Sequence, residues 1–302
     1  MQIGQLMSQR PSAKQGLRFA HPKGIVCSGT FEASPGAASI SRASHFRPGS
    51  VPVTVRFSNA APDLEIGDNS PDAGPQGMAI RFMTGRGTDI VALSHNGFVV
   101  GTGEEFLELL KAAAATDPAK PHPWPIEQFL GSHPRAMKFV QDTHQVPASF
   151  ATESFFGNNA FRFTNTDGKV RAGRYQILPA DGTKYLEETT TSSKSADFLR
   201  QDIRERLGNN PVKFRLFVQL AGPDDKTSDG SEVWPDDREK VAMGTITLTS
   251  VAPDSVAAEN ELAFDPTRLI DGIQLSDDPL PRLRSQVYAI SVASRRRHQP
   301  AR

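Results

Sequence analysis

Cysteine is almost absent from this 302-residue sequence: Cys27 is the only one, so no disulfide can form within the chain. It lies in the apolar run Ile25-Val26-Cys27, which predicts a buried structural thiol. No stretch reaches the ~18 apolar residues of a membrane span. The first ten residues also lack the basic and then apolar pattern of a signal peptide. We predict a soluble, cytoplasmic protein without a membrane partner, and a periplasmic location stays open if a leader was removed.

A net charge is absent as well, because 34 Lys and Arg residues balance 34 Asp and Glu residues. This balance argues against a nucleic-acid partner held by a general basic field. The one local basic run, Arg295-Arg296-Arg297, is more typical of a solvated tail than of a binding patch. The sequence has no histidine pair at metal-binding spacing, no phosphate-binding glycine loop and no serine elbow.

The first half of the sequence has the pattern of β-strands. Strands are predicted over residues 24–33, 51–58, 77–83 and 89–93, with a turn at Gly85-Arg86-Gly87 between the last two. In the second of these strands, Val53 and Val55 alternate with polar residues, so Arg56 and Ser58 share the opposite face.

A helix is predicted after Gly101, with Thr102 as its cap and Glu105 completing a capping box. A proline-rich connector over 117–125 precedes a second helical stretch over about 126–140. A hairpin (160–163 and 170–178), a helix over 195–207 stopped by Gly208, and strands over 214–220 and 243–248 follow. These elements predict one α+β domain with about eight strands in an antiparallel sheet, and periodicity alone leaves barrel and sandwich open.

Three segments contain the residue types that peroxide chemistry on a haem requires: Arg18-Phe-Ala-His21, Arg56-Phe-Ser58 and Arg284-Ser-Gln-Val-Tyr288. Histidine exchanges protons near neutral pH. Tyrosinate is an unusual haem ligand that is associated with catalase. Four-residue spacing places Arg284 and Tyr288 on one helix face, where the guanidinium favours the phenolate.

In this order and spacing, the three segments resemble the haem catalase superfamily, and more closely its short branch, the catalase-related peroxidases. The resemblance extends over most of the chain. It implies an eight-stranded antiparallel β-barrel with added helices that binds haem b through its iron. It also implies a single domain over residues 1–302, with the barrel core at about 18–250 and a connector and ligand helix at about 264–295.

The resemblance also implies roles for individual residues. His21 is the distal residue that takes and returns the peroxide proton, and Ser58 orients its ring. Tyr288 is the axial iron ligand, and Arg284 supports it.

The resemblance implies further contacts to the haem. Arg18 and Arg56 bind the haem propionates, with Arg295 as a third candidate, and Phe106 contacts the haem. Core packing explains Phe106 equally well.

Several positions depart from full-length catalases. Ser94 occupies the place of a distal asparagine, which His95 or Asn96 would replace only if the loop shifted. The segment after Tyr288 differs, and the long arm, wrapping segment and C-terminal helical domain are missing. These differences favour the short peroxidase branch and a monomer or homodimer.

The predicted function is a haem-dependent peroxidase that reduces hydrogen peroxide or organic hydroperoxides with an external small-molecule electron donor. One alternative is a true catalase that dismutates hydrogen peroxide. An alternative of another class is a non-enzymatic haem carrier or sensor.

Overall fold

The structure is a computed structural model, and it describes residues 2–61 and 64–298. Alternating apolar and polar residues form strands that pair antiparallel in one sheet. The strands are β1 Gly24–Ala33, β2 Ser50–Asn59, β3 Gln76–Phe82, β4 Thr88–Leu93, β5 Phe155–Phe156, β6 Phe161–Thr164, β7 Val170–Pro179, β8 Val212–Leu220, β9 Lys240–Val251 and β10 Ile273–Leu275.

The sheet closes on itself into a barrel. Eight strands follow one another around the ring in the order β1, β2, β3, β4, β5, β7, β8 and β9, and β9 pairs with β1. The remaining strands, β6 and β10, extend from β7 as a flap. The predicted antiparallel barrel is therefore confirmed, and a sandwich is excluded.

Helices surround the barrel. They are α1 Gln2–Ser8, α2 Pro11–Lys14, α3 Gly103–Ala115, α4 Pro125–Ser132, α5 Pro134–Asp142, α6 Glu188–Thr191, α7 Phe198–Asn209, α8 Ser255–Glu261 and α9 Leu280–His298. Helix α1 packs against α3 and α9, and apolar side chains join these three helices. Within the described residues, no helix is long and apolar enough to cross a membrane.

Aromatic and branched side chains fill the interior of the barrel. Phe57 points inward from β2 and stacks on Phe150, with ring centroids 5.2 Å apart. Cys27 is fully buried in the same core, and burial raises the pKa of its thiol to about 12. The predicted structural thiol is confirmed, because such a thiol stays protonated and unreactive.

Most predicted elements occur where the sequence placed them, but two helices differ. The capping box of Thr102 and Glu105 at the start of α3 is confirmed. The second helical stretch, predicted over about 126–140, is present but breaks at His133 into α4 and α5, because Pro134 lacks an N–H and disfavours helical backbone before it. Gly208 does not stop α7, which continues to Asn209.

Candidate active site

A cavity of about 290 Å³ lies between the outer face of strands β2–β4 and helix α9. Its volume is near the lower end of the range for ligand-binding pockets. All eight predicted site residues line it, although they come from segments up to 277 positions apart (295 minus 18). They are Arg18, His21, Arg56, Ser58, Phe106, Arg284, Tyr288 and Arg295.

The charged side chains that line this cavity are arginines. Arg10, which the sequence analysis missed, lines the cavity in addition to the four predicted arginines, and no Asp or Glu among the described residues does so. Most other lining residues are apolar. Such a cavity suits a ligand with a large apolar body and acidic groups at its edge.

His21 is held in an unusual backbone conformation at the strand side of the cavity. Its φ of 53° lies in the left-handed region, which non-glycine residues rarely adopt and which often marks functional sites. Its Nδ1 lies 3.1 Å from Oγ of Ser58. If Nδ1–H donates to that hydroxyl, the Nε2 lone pair is free to accept a proton.

The electrostatic environment keeps the His21 ring neutral. Burial is the main reason that its pKa falls to about 3, and the cations Arg56, Arg284, Arg10 and Arg18 lower it further. A neutral imidazole at ordinary pH can act as a proton acceptor.

Two glycines create the space for this arrangement. Gly24 of β1 and Gly77 of β3 both pair with Ser58 of β2, so the three residues form one rung on the outer face of the barrel. A Cβ on Gly77 would lie 2.9 Å from Nδ1 of His21 and 2.8 Å from Oγ of Ser58. A Cβ on Gly24 would overlap the guanidinium of Arg56. The sequence analysis gave neither glycine a role in the site.

On the helix side, Arg284 donates to the hydroxyl oxygen of Tyr288 from Nη2 (2.9 Å) and Nε (3.3 Å). Arg284 also donates from Nη1 to Oδ1 of Asn159 at 2.7 Å. Asn159 in turn donates to Asp278 at 2.8 Å, and Asp278 accepts the backbone N–H of Leu280 at the start of α9. This chain fixes the guanidinium against the phenol, as the four-residue spacing predicts.

Asn159 and Asp278 are functional candidates that the sequence analysis missed. Burial raises the pKa of Asp278, while its bonds to Asn159 and Leu280 oppose that shift. Asp278 had a detectable signal, since an acidic residue just before a Pro-containing helix start is typical of a cap. No sequence pattern points to Asn159, because it lies in a loop 125 residues from its partner Arg284.

Three arginines meet at one end of the cavity. Arg18 donates to the carbonyl oxygens of Glu259 (2.8 Å) and Leu262 (2.9 Å). Arg295 donates to the same Leu262 carbonyl, and Arg56 pairs with the Glu259 carboxylate at 2.8 Å. The Nε atoms of Arg18 and Arg295 are buried without a hydrogen-bond partner among the described residues.

This cluster holds more positive charge than its surroundings neutralise. Burial lowers the pKa of Arg18, and repulsion from Arg56 and Arg295 adds to the effect. Burial likewise lowers the pKa of Arg295 to about 10. The expectation of a solvated tail is therefore wrong for Arg295, whereas Arg296 and Arg297 are exposed.

Other predicted positions have simpler surroundings. Phe106 lines the cavity and also packs on Phe98, with ring centroids 5.8 Å apart. The structure is therefore compatible both with the predicted contact to haem and with a packing role. Ser94 bonds with Gln76, and His95 bonds with Gly97 and Asp142. Neither of them lines the cavity, nor does Asn96.

The donor set fits a haem. The ring would need apolar walls, its iron a phenolate, and its two propionates the unneutralised guanidinium groups. The cavity offers apolar walls, the oxygen of Tyr288 and a cluster of guanidinium groups, and the unpartnered Nε atoms of Arg18 and Arg295 indicate donor capacity that the protein alone does not use.

Comparison with known proteins gives a consistent picture. The family model described as catalase matches residues 11–300. A catalase-related peroxidase of Mycolicibacterium paratuberculosis is 36% identical over 94% of this chain and 90% of its own length. A catalase-related peroxidase of Synechococcus elongatus is 34% identical over 93% of this chain and 84% of its own length.

Solved structures share the fold. A fungal catalase superimposes with a TM-score of 0.82 at 19% identity, and catalase A from Saccharomyces cerevisiae superimposes with 0.82 at 20% identity. Each match covers 92% of this chain but only 59% and 61% of the respective catalase.

Proposed function

The chain belongs to the catalase family, and from this premise we propose that it is a haem-dependent peroxidase. It would reduce hydrogen peroxide or organic hydroperoxides with electrons from an external small-molecule donor. The observation that carries the proposal is the position of His21 and Tyr288 in one cavity, on its strand wall and its helix wall.

Family membership implies haem, and we propose haem b as its type. When bound, haem supplies an iron that coordinates peroxide and exchanges electrons. Tyr288 would hold the iron, and Arg18, Arg56 and Arg295 would bind the propionates. Arg284 would hold the phenol oxygen in place for the iron, because its guanidinium donates two hydrogen bonds to that oxygen.

His21 moves the proton in the proposed reaction. Its Nε2 accepts a proton from the peroxide and returns it to the leaving oxygen, which a neutral ring can do. Ser58 holds the ring through Nδ1 and thereby fixes which nitrogen faces the substrate.

The names of the two catalase-related relatives support a peroxidase rather than a catalase. Catalase dismutation remains the second candidate, and release of oxygen without any donor would identify it. We further propose that residues 1–302 form one domain and that the protein works in the cytoplasm as a monomer or homodimer. Both ends of that range lie outside the described residues.

The test combines an absorption spectrum with the variant His21→Ala. The purified protein should take up haem, and the spectrum should be that of ferric haem with tyrosinate character. His21→Ala should keep the haem but slow the peroxide-driven spectral change about 10²–10⁴-fold in stopped-flow mixing. The exposed His122, which pairs with Glu127, provides the control His122→Ala. A protein that cannot bind haem, or a loss below about fivefold, would contradict the proposal.

A further inference from the structure

We propose that Glu259 of helix α8 is a positioning residue that acts through Arg56 on the arginine cluster and on His21. The inference rests on the proposed function, since it concerns the residues assigned to the propionates and to proton transfer. Glu259 lies 238 positions from His21 and does not itself line the cavity.

The guanidinium of Arg56 divides its hydrogen bonds between two partners. Nε and Nη2 donate to one carboxylate oxygen of Glu259, at 3.1 and 2.8 Å. Nη2 also donates to the backbone carbonyl of His21 at 2.8 Å. Among the described residues, Nη1 makes no hydrogen bond, which leaves it available to a ligand carboxylate.

The Arg56–Glu259 pair is well enclosed, with side-chain exposures of 5% and 15%. Arg56 lines the cavity, whereas Glu259 does not. A ligand carboxylate would therefore meet the cation first. Glu259 fixes the direction of Arg56 without occupying the donor that the ligand needs.

Helix α8 is attached to the cavity by polar contacts. Its only buried residue is Ser255, and Val256 is 70% exposed, so the helix adds little apolar burial. Its contacts at this end include the Glu259 pair and the carbonyls of Glu259 and Leu262, which accept bonds from Arg18 and Arg295. Carbonyls at a helix C-terminus need such partners, and cations there are favourable.

The link to His21 gives Glu259 a second effect. His21 holds a left-handed backbone conformation that is strained for a side-chain-bearing residue. The bond from Arg56 to its carbonyl helps to maintain that conformation and hence the contact of Nδ1 with Ser58. Loss of the carboxylate at Glu259 would free the long Arg56 side chain and loosen His21.

The experiment compares Glu259→Gln with Glu32→Gln. Glu32 is exposed on β1 and makes no side-chain hydrogen bond or ion pair among the described residues. Glu32→Gln therefore removes the same charge as Glu259→Gln without breaking a contact. In haem-free protein, nitrogen NMR of the histidine rings should show His21 in one tautomer in the wild type and in Glu32→Gln. Its signals should broaden or average between tautomers in Glu259→Gln.

In haem-loaded protein, Glu259→Gln should slow the peroxide-driven spectral change roughly tenfold, part of the ~10²-fold that a 1 Å misplacement can produce. In a protein that already carries Arg56→Ala, adding Glu259→Gln should not slow this spectral change further, because no guanidinium remains to be positioned. Unchanged His21 signals, or an equal effect of Glu259→Gln with and without Arg56, would overturn the inference. A wild-type protein without peroxidase activity would refute the proposed function instead, while the NMR comparison would still decide the role of Glu259.

Discussion

Replacing Tyr288 by phenylalanine separates the stability of the protein from its binding of haem. The change keeps the aromatic ring and deletes the oxygen that accepts hydrogen bonds from Arg284 at 2.9 and 3.3 Å. A hydrogen bond to a charged group is worth about 1.5–3 kcal/mol. Because Tyr288 is only half-buried and Arg284 keeps its bond to Asn159, the free energy of unfolding of the haem-free protein should fall by about 1.5 kcal/mol.

For a chain of this size, that loss lowers the Tm of the haem-free protein by only a few degrees. Haem binding should change far more, since the proposed bond to the iron disappears. Removal of a residue that merely supports a metal ligand typically weakens metal affinity by 10–100-fold, so loss of the ligand itself should exceed about 100-fold. Arg284→Leu should fall within that smaller range.

The assay is a titration of haem-free protein with haem, followed by absorption. Tyr185→Phe is the matched control, because the Tyr185 hydroxyl bonds with Glu153 and lies outside the cavity lining. It should titrate like the wild type. If Tyr288→Phe bound haem with wild-type affinity and gave the wild-type spectrum, the axial assignment would be refuted, and with it the interpretation of Arg284.

Two further changes test the space around the histidines. Gly77→Ala should displace the His21 ring and slow the peroxide-driven spectral change at least about tenfold. The control Gly131→Ala, whose added Cβ would have no atom within 4 Å, should leave that rate unchanged. Equal rates in the two variants would exclude a positioning effect of Gly77. His45 is fully buried beside Phe82 with both ring nitrogens unpaired among the described residues, so His45→Phe should stabilise the protein by about 1 kcal/mol in thermal unfolding. Burial lowers the pKa of His45 to about 3 from its ordinary 6.5, so the folded state resists a proton that the unfolded state accepts. The wild type should therefore lose stability as pH falls from about 6.5 toward 3, and the advantage of His45→Phe should grow over that range; a constant difference would contradict the assigned pKa.

The parts of the site that the sequence predicted are those that depend on local spacing. Arg284 and Tyr288 are four residues apart on one helix, so their contact follows from helical geometry wherever the helix packs. Arg56 and Ser58 share a strand face for an equally local reason. The break between α4 and α5 at Pro134 also has a local cause, because a proline lacks the N–H that a continuous helix needs.

The supports behind these residues could not be predicted in the same way. Asn159, Asp278 and Glu259 contact their partners across loops, and no periodicity relates them to Arg284 or Arg56. Their roles depend on how barrel, flap and helices pack, which is tertiary information. Asn159 and Glu259 each hold a guanidinium, and Asp278 holds Asn159, so both fixed cations depend on residues distant in sequence.

The rung of Gly24, Ser58 and Gly77 shows why even a correct set of strands does not define the site. Both glycines were inside predicted strands, but their value arises only when they pair with Ser58 on either side. A slip of one residue in either pairing would turn the glycines to the other face and place a side chain against His21 or Arg56. The inward-facing valines and Phe57 oppose such a slip, because it would expose them outside the barrel. The hydrophobic core thus holds the register on which the geometry of His21 depends.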